Sequence, residues 1–113
     1  MARQLVAVWN DLDVLLTPTV TQPPLPIGAL WAKPGEPAIQ ALLNAGNWVP
    51  FTPVWNVTGQ PAISLPLHQS PEGLPIGVQL VGPPAGEELL LSLAAQLETA
   101  RPWHDRRPEL AAA

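Results

Sequence analysis

Cysteine is absent from the 113-residue chain. That removes a disulfide framework and a thiolate zinc site, and it fits a reducing compartment. Charge is scarce: 12% of residues are Asp, Glu, Lys or Arg, and the balance is −4. A chain of that sign offers no basic footprint for a phosphate backbone, which argues against nucleic acid as a partner. No apolar run reaches the roughly 18 residues of a membrane span, and the start lacks a charged segment followed by a short apolar core. The expectation is a soluble, cytoplasmic chain with no membrane partner. Lysine occurs once, as Lys33, and histidine twice, as His68 and His104. Metal binding needs several ligands converging at close spacing, so no metal and no cofactor are expected.

What the chain does have is apolar surface and proline. Apolar residues make up 47% of it, with five tryptophans, a composition that builds a core rather than a disordered chain. Its length suits one domain, residues 1–113. The 16 prolines are scattered between apolar runs and act as punctuation. Leu5, Val8, Trp9 and Leu12 recur at helical spacing, with Arg3, Gln4, Asn10 and Asp11 off the stripe. "DVLLTPT" follows, predicting a strand over Val14–Thr17 that is apolar on both faces and stopped by Pro18. The proline-rich "VTQPPLPIGALWAKPGEP" has no period and is long for a loop. A second helix is predicted from Pro37 to Ala45, with Gly46 as its cap.

The second half is more regular. "PAISLPL" and "LPIGVQLVG" predict an antiparallel pair, Ala62–Leu65 and Ile76–Val81, joined through "HQSPEG", with Pro61 and Pro66 bracketing the first strand. Glu87–Ala100 predicts a helix whose stripe is Leu90, Leu93, Ala94 and Leu97. Leu89 and Leu91 widen its apolar face, as if it were covered on more than one side. The tail, residues 104–113, is polar. The fold class is α/β (α+β): about three strands with flanking helices and no internal repeat.

Catalytic chemistry is thin. A nucleophile needs a base beside it and a third group to orient that base. Ser64 falls inside a strand, Ser70 in a turn and Ser92 mid-helix among leucines, and none sits in a Gly-x-Ser-x-Gly elbow. Lys33 lies in the proline-glycine loop, where nothing predicts the burial that a catalytic lysine needs. "GPPAGEEL" puts glycines ahead of a helix, but its two glutamates would repel an anion. The sequon "NVT", Asn56 to Thr58, and the motif "PPLP" read as structural residues.

The order of blocks adds to this. "DVLLTPT", then "FTPVWNVTGQPAISLPL", then "GLPIGVQLVGPPAGEELLLSLAAQLE", then "RPW" closely resembles the C-terminal quarter of amidase signature family enzymes, a family that includes amidotransferase chains. The resemblance runs from about Asp13 to Trp103. It implies a fragment of a large mixed sheet wrapped by helices. The family hydrolyses carboxamide bonds, or transfers the released ammonia, with a serine nucleophile, a second serine after a cis peptide, and a lysine. That catalytic tract lies upstream of these blocks in the family, and this sequence has no Ser-Ser pair and no glycine-serine tract. No catalytic residue can therefore be assigned.

A supporting role remains. The resemblance implies that Trp48, Val49, Phe51, Thr52 and Trp55 form part of a substrate-pocket wall, ended by a turn at Asn56, Gly59 and Pro61. Gly59 would adopt a backbone conformation closed to other residues, and the Asn56 side chain would satisfy loop amides. For Trp48, Phe51 and Trp55 a plain core role stays open, since aromatics fill cores and pockets alike. Three roles follow: an inactive C-terminal portion of an amidase, the complement of a partner that carries the N-terminal catalytic part, or a proline-rich interaction module. Alone, the chain is expected to form homo-oligomers through its strand edges.

Overall fold

The computed structural model describes residues 5–107. Its elements are a short 3-10 helix (Ala7–Asn10), strand β1 (Leu15–Pro18), helix α1 (Ile39–Gly46), helix α2 (Pro53–Thr58), strands β2 (Ala62–Gln69) and β3 (Pro75–Val81), and helix α3 (Glu87–Ala100). The three strands form one antiparallel sheet in the order β1-β3-β2, with β3 in the middle.

The middle strand explains the two faces. Residues alternate sides along a strand, and the register aligns Leu16, Leu80 and Ile63 in one row and Thr17, Gln79 and Ser64 in the next. The first face is apolar and receives α3. Leu65, Leu80 and Leu90 form its buried centre, with Val14, Ile63, Leu67, Leu93, Ala94, Leu97 and Trp103 packed around them. The predicted stripe of α3 is thus the face that packs, and its predicted bounds coincide with the observed ones. Leu91, off the stripe, stays 64% exposed. The second face is mixed: Leu15, Val81 and Ala62 form an apolar row beside the polar row of Thr17, Gln79 and Ser64, with Thr19 bonded to Ser64, so β1 is apolar there only in part.

Three turns set the geometry. Pro83–Gly86 closes with the Gly86 amide donating to the Pro83 carbonyl at 2.9 Å. Pro84 occupies the second position and Ala85 the third at φ +60°, a place in a type II turn that glycine usually takes. The β2–β3 hairpin turns through Ser70–Gly73, where the Gly73 amide donates to the Ser70 carbonyl at 3.0 Å and Gly73 adopts φ +84°. β2 does not stop at Leu65: it runs through Pro66 to Gln69, with a register shift between Leu65 and His68. A bulge is the place where a strand tolerates the missing proline N–H.

Other boundaries differ from expectation. Among the described residues the first helix is α-helical at residues 5–6 and continues as a 3-10 turn over Ala7–Asn10, with Leu5 and Val8 of its stripe half-buried. Trp9 is half-buried there and Leu12 exposed, while Arg3 and Gln4 lie outside the described residues. Pro37 precedes α1, its carbonyl accepting from the Gln40 amide at 2.9 Å, and Gly46 ends the helix while Asn47 caps it in a right-handed conformation. The long loop is tied down at its start, where the Thr21 amide donates to the Trp48 carbonyl at 3.1 Å and the Thr21 hydroxyl to the Asn47 carbonyl at 3.1 Å.

β1 and β2 are joined directly by one side-chain bond that passes over β3. The Thr19 and Ser64 hydroxyls lie 2.7 Å apart. A Cβ on Gly77 would sit 2.7 Å from the first and 2.8 Å from the second, so only glycine leaves that crossing open. Gly77→Val therefore displaces both hydroxyls and lowers stability by about 1–3 kcal/mol, the usual cost of overpacking. The cost falls when Ser64 is already alanine. Urea denaturation at one protein concentration measures both, and a neutral Gly77→Val removes the crossing from the fold's supports.

Candidate functional site

The second sheet face holds the best-built constellation among the described residues. Gln79 is 4% exposed, and a buried primary amide must find partners for its two donors. Its Nε2 donates to the Thr17 hydroxyl at 3.0 Å and to the Phe51 carbonyl at 3.2 Å. The Thr17 hydroxyl in turn donates to the Pro18 carbonyl at 3.0 Å. The Phe51 carbonyl can only accept, which settles which end of the amide faces it.

That contact carries the chain from Trp48 to Trp55 onto the sheet. Trp48, Val49, Phe51 and Thr52 are half-buried and Trp55 is 7% exposed. Two of the backbone carbonyls are held from outside the segment, Trp48 by the Thr21 amide and Phe51 by Gln79. A third, on Val49, takes a long 3.5 Å bond from the Thr52 hydroxyl. Pro53 opens α2, a first-turn position that suits its missing N–H. The indole Nε1 of Trp55 is buried with no hydrogen-bond partner among the described residues.

The expected turn is different in kind. Asn56 lies inside α2 with its side chain exposed, so it satisfies no loop amide. The side-chain bonds near the turn come from Thr58 instead, and they reach oxygen acceptors. The Thr58 hydroxyl lies 2.8 Å from the Val54 carbonyl and 2.5 Å from Gln60 Oε1. Gly59 does take the conformation closed to other residues, a left-handed cap at φ +72°. Pro61 then leads into β2, its carbonyl accepting from the Gly82 amide at 3.0 Å.

The scattered titratable and hydroxyl groups do not converge. Ser64 is bonded to Thr19 across the sheet, Ser92 is exposed on α3, and Lys33 sits in the exposed loop with its backbone amide donating to Glu36. His104 pairs with Asp105 at 3.0 Å in the exposed tail; the tail beyond residue 107 lies outside the described residues. Ser70 is buried in the hairpin, where its oxygen accepts from the Leu74 amide at 3.2 Å, and its side chain beside Glu72 holds that carboxyl below its usual range. A hollow of about 340 Å³ lies by the bulge and the tail, lined by His68, Trp103, Arg106 and Arg107 among others. None of the expected wall residues lines it. Among the described residues the arrangement can hold and shape a wall; it brings no nucleophile to a base.

Sequence reasoning does not single out Gln79, Thr17, Thr19 or Gly77. The available signal is spacing by two, Thr17 with Thr19 in "LLTPT" and Gly77 with Gln79 in "GVQLVG", which puts each pair on one side of its strand.

The family model Amidase matches residues 1–91. A Mycobacterium tuberculosis protein that carries the name amidase AmiB2 is 44% identical over 110 residues, which is 97% of this chain and 23% of that protein. The 6-aminohexanoate-cyclic-dimer hydrolase of a Pseudomonas species is 48% identical over 102 residues, 87% of this chain and 21% of that one. The solved structure of a 6-aminohexanoate cyclic dimer hydrolase superposes with a TM-score of 0.88 at 43% identity, covering 98% of this chain and 24% of that one. A glutamyl-tRNA(Gln) amidotransferase chain of Thermotoga maritima superposes with a TM-score of 0.68 at 28% identity, over 93% and 21%. The chain thus spans less than a quarter of the length of these relatives.

The hairpin supplies a pH-dependent test. The folded Glu72 pKa is lowered, first by the Ser70 side chain and then by a backbone hydrogen bond. A lowered carboxyl stabilises the fold above its unfolded pKa, and that contribution disappears as pH falls through the folded value. Ser70→Ala should raise the Glu72 pKa towards the ordinary carboxylate value. Titration of the Glu72 side-chain carboxyl by NMR reads this directly, and an unmoved midpoint refutes the bond.

Proposed function

The chain belongs to the amidase family, and on that premise we propose that its role is to complete an amidohydrolase of that family. It corresponds to a C-terminal portion of an amidase signature enzyme, and the observation that carries this is its superposition on a solved hydrolase over nearly its whole length. In this reading the chain supplies three sheet strands and one wall of the acyl pocket, Trp48 to Trp55, for the hydrolysis of a carboxamide C–N bond. The nucleophile and its base come from the remainder of the enzyme. The buried, unpaired indole N–H of Trp55 supports a missing neighbour on this side. The lack of cysteine supports a reducing, cytoplasmic setting. No helix among the described residues is long and apolar enough to cross a membrane.

Surface area supports the same reading. The chain exposes 8385 Å², whereas a compact monomer of 12.1 kDa exposes about 6,000 Å². Its radius of gyration is 17.0 Å, against about 13 Å for a compact domain of this length. Ile27, Trp31, Leu42, Leu43 and Val57 are each more than half exposed, and both β1 and β2 are sheet edges. Surface of this extent and character is what a large permanent interface leaves open when one side is absent.

The deciding experiment is co-expression with the upstream region of an amidase from the same source, followed by an amide hydrolysis assay. The chain alone should release no ammonia or amine above background, and the assembly should. Turnover by the chain alone that is lost in Ser64→Ala overturns this reading. In the assembly, Phe51→Ala and Trp55→Ala should shift preference between large and small acyl groups at least tenfold, because one methylene in an apolar pocket is worth about 1–3 kcal/mol. Equal losses for all substrates assign these residues to the core. Without the partner the chain should self-associate through its strand edges; light scattering across a concentration series checks it, and a sharp monomer with a cooperative melt favours a stand-alone module.

A further inference from the structure

The wall segment has no regular hydrogen-bond ladder to fix its height above the sheet. α2 is one short helix of six residues, and the residues before it reach the sheet by one contact from a side chain of the central strand. That contact is Gln79 Nε2 to the Phe51 carbonyl. The other external bonds of the segment, from Thr21 to Asn47 and Trp48, come from the residues just after β1 and hold its far end. Phe51 is thus fixed from the middle of the sheet and Trp48 from its edge.

The donor itself is locked. Gln79 lies in the row Thr17–Gln79–Ser64 of the sheet, and its second N–H is committed to Thr17, whose hydroxyl is committed to Pro18. Each proton in this series has one acceptor, so the amide cannot rotate without leaving a buried donor unpaired. Gln79 is 4% exposed, so water has little access to replace either bond. A leucine of similar length would fill the space and lose the tether to Phe51 together with the bond to Thr17.

We propose that Gln79 is a positioning residue for amide hydrolysis, setting the depth of the acyl pocket by holding the Phe51 carbonyl to the central strand. This rests on the reading of Trp48–Trp55 as the pocket wall. Gln79 touches no substrate and takes no part in bond breaking. It acts through the placement of Phe51 and Trp55. Its loss therefore changes which acyl groups fit, and leaves the hydrolysis of the smallest amides intact.

Two measurements test this. The first uses the chain itself: in Gln79→Leu, amide hydrogen exchange in a peptide spanning residues 47–59 should rise at least tenfold, with the α3 peptide unchanged. Exchange that stays the same, or rises equally in α3, overturns the tether. The second uses the co-expressed assembly. Gln79→Leu should alter KM for bulky acyl amides at least fivefold while kcat for a small amide such as acetamide stays within twofold. Gln79→Glu should behave like Gln79→Leu at high pH, where a carboxylate faces the carbonyl, and recover the native preference at low pH, where the protonated carboxyl donates to it. Core destabilisation alone produces no such recovery. If exchange rises locally, Phe51→Ala shifts acyl preference and Gln79→Leu does not, positioning by Gln79 is refuted. If Phe51→Ala also leaves preference unchanged, or the wild-type assembly is inactive, the pocket reading itself falls and takes the proposal with it.

Discussion

Strand β3 is the element on which the rest depends, because it alone hydrogen-bonds to both neighbours and serves both faces. Its even-numbered residue Leu80 anchors α3 from below, and its odd-numbered residue Gln79 anchors the 48–55 segment from above. Gly77, in the same strand, gives no side chain at all, and that void lets Thr19 and Ser64 meet. Seven residues of extended chain thus deliver an apolar contact, a buried donor and an opening, each by the alternation of a β-strand. A shift of one residue in its pairing would put Leu80 on the face of Thr17 and Ser64 and Gln79 into the leucine core, a buried amide without partners. Register here is enforced by the cost of the wrong polar group in the wrong layer.

The two faces are finished to different degrees. Beneath the sheet, α3 closes a small core around Leu65, Leu80 and Leu90, while Leu16 on the same face is 63% exposed. Above it, the covering chain is short, held by single hydrogen bonds, and flanked by apolar residues left in solvent. A folding chain of this size obtains its stability from the fraction of surface it buries, and only five apolar residues are buried among those described. The exposed apolar surface matches a chain that spans under a quarter of its relatives' length. That short span also explains why α1, with Leu42 and Leu43 outward, is a regular helix whose apolar side is uncovered among the described residues.

How far the sequence reveals this depends on the range of the interaction. α3 is legible to the residue, since its period, its acidic first turn and its stripe are local properties. The hairpin is legible because Ser-Pro-Glu-Gly specifies its own turn. For β2 the sequence suggests an end near Pro66, because proline is an ordinary strand stop and only pairing with β3 reveals the bulge that admits it. α2 looks like a turn from its residues alone: six positions between two proline-marked breaks are too few to display a helical period. Asn56 is misjudged with it, whereas the demand for glycine at position 59 follows from chain reversal alone. The tether from Gln79 to Phe51 spans 28 residues, and nothing local distinguishes it from a polar residue facing water.

The composition of the polar row bears on what this portion of an amidase contributes. Thr17, Thr19, Ser64 and Gln79 are neutral hydrogen-bonding groups, and no carboxylate, lysine or histidine is hydrogen-bonded among them. A charged group on this face would be costly once the face is covered. Neutral hydroxyls and an amide satisfy one another and present no proton of perturbed affinity. They fix geometry without entering the reaction. Such a face suits a supporting role: its hydroxyls and amide hold the covering chain to the sheet, and they do so with neutral groups alone.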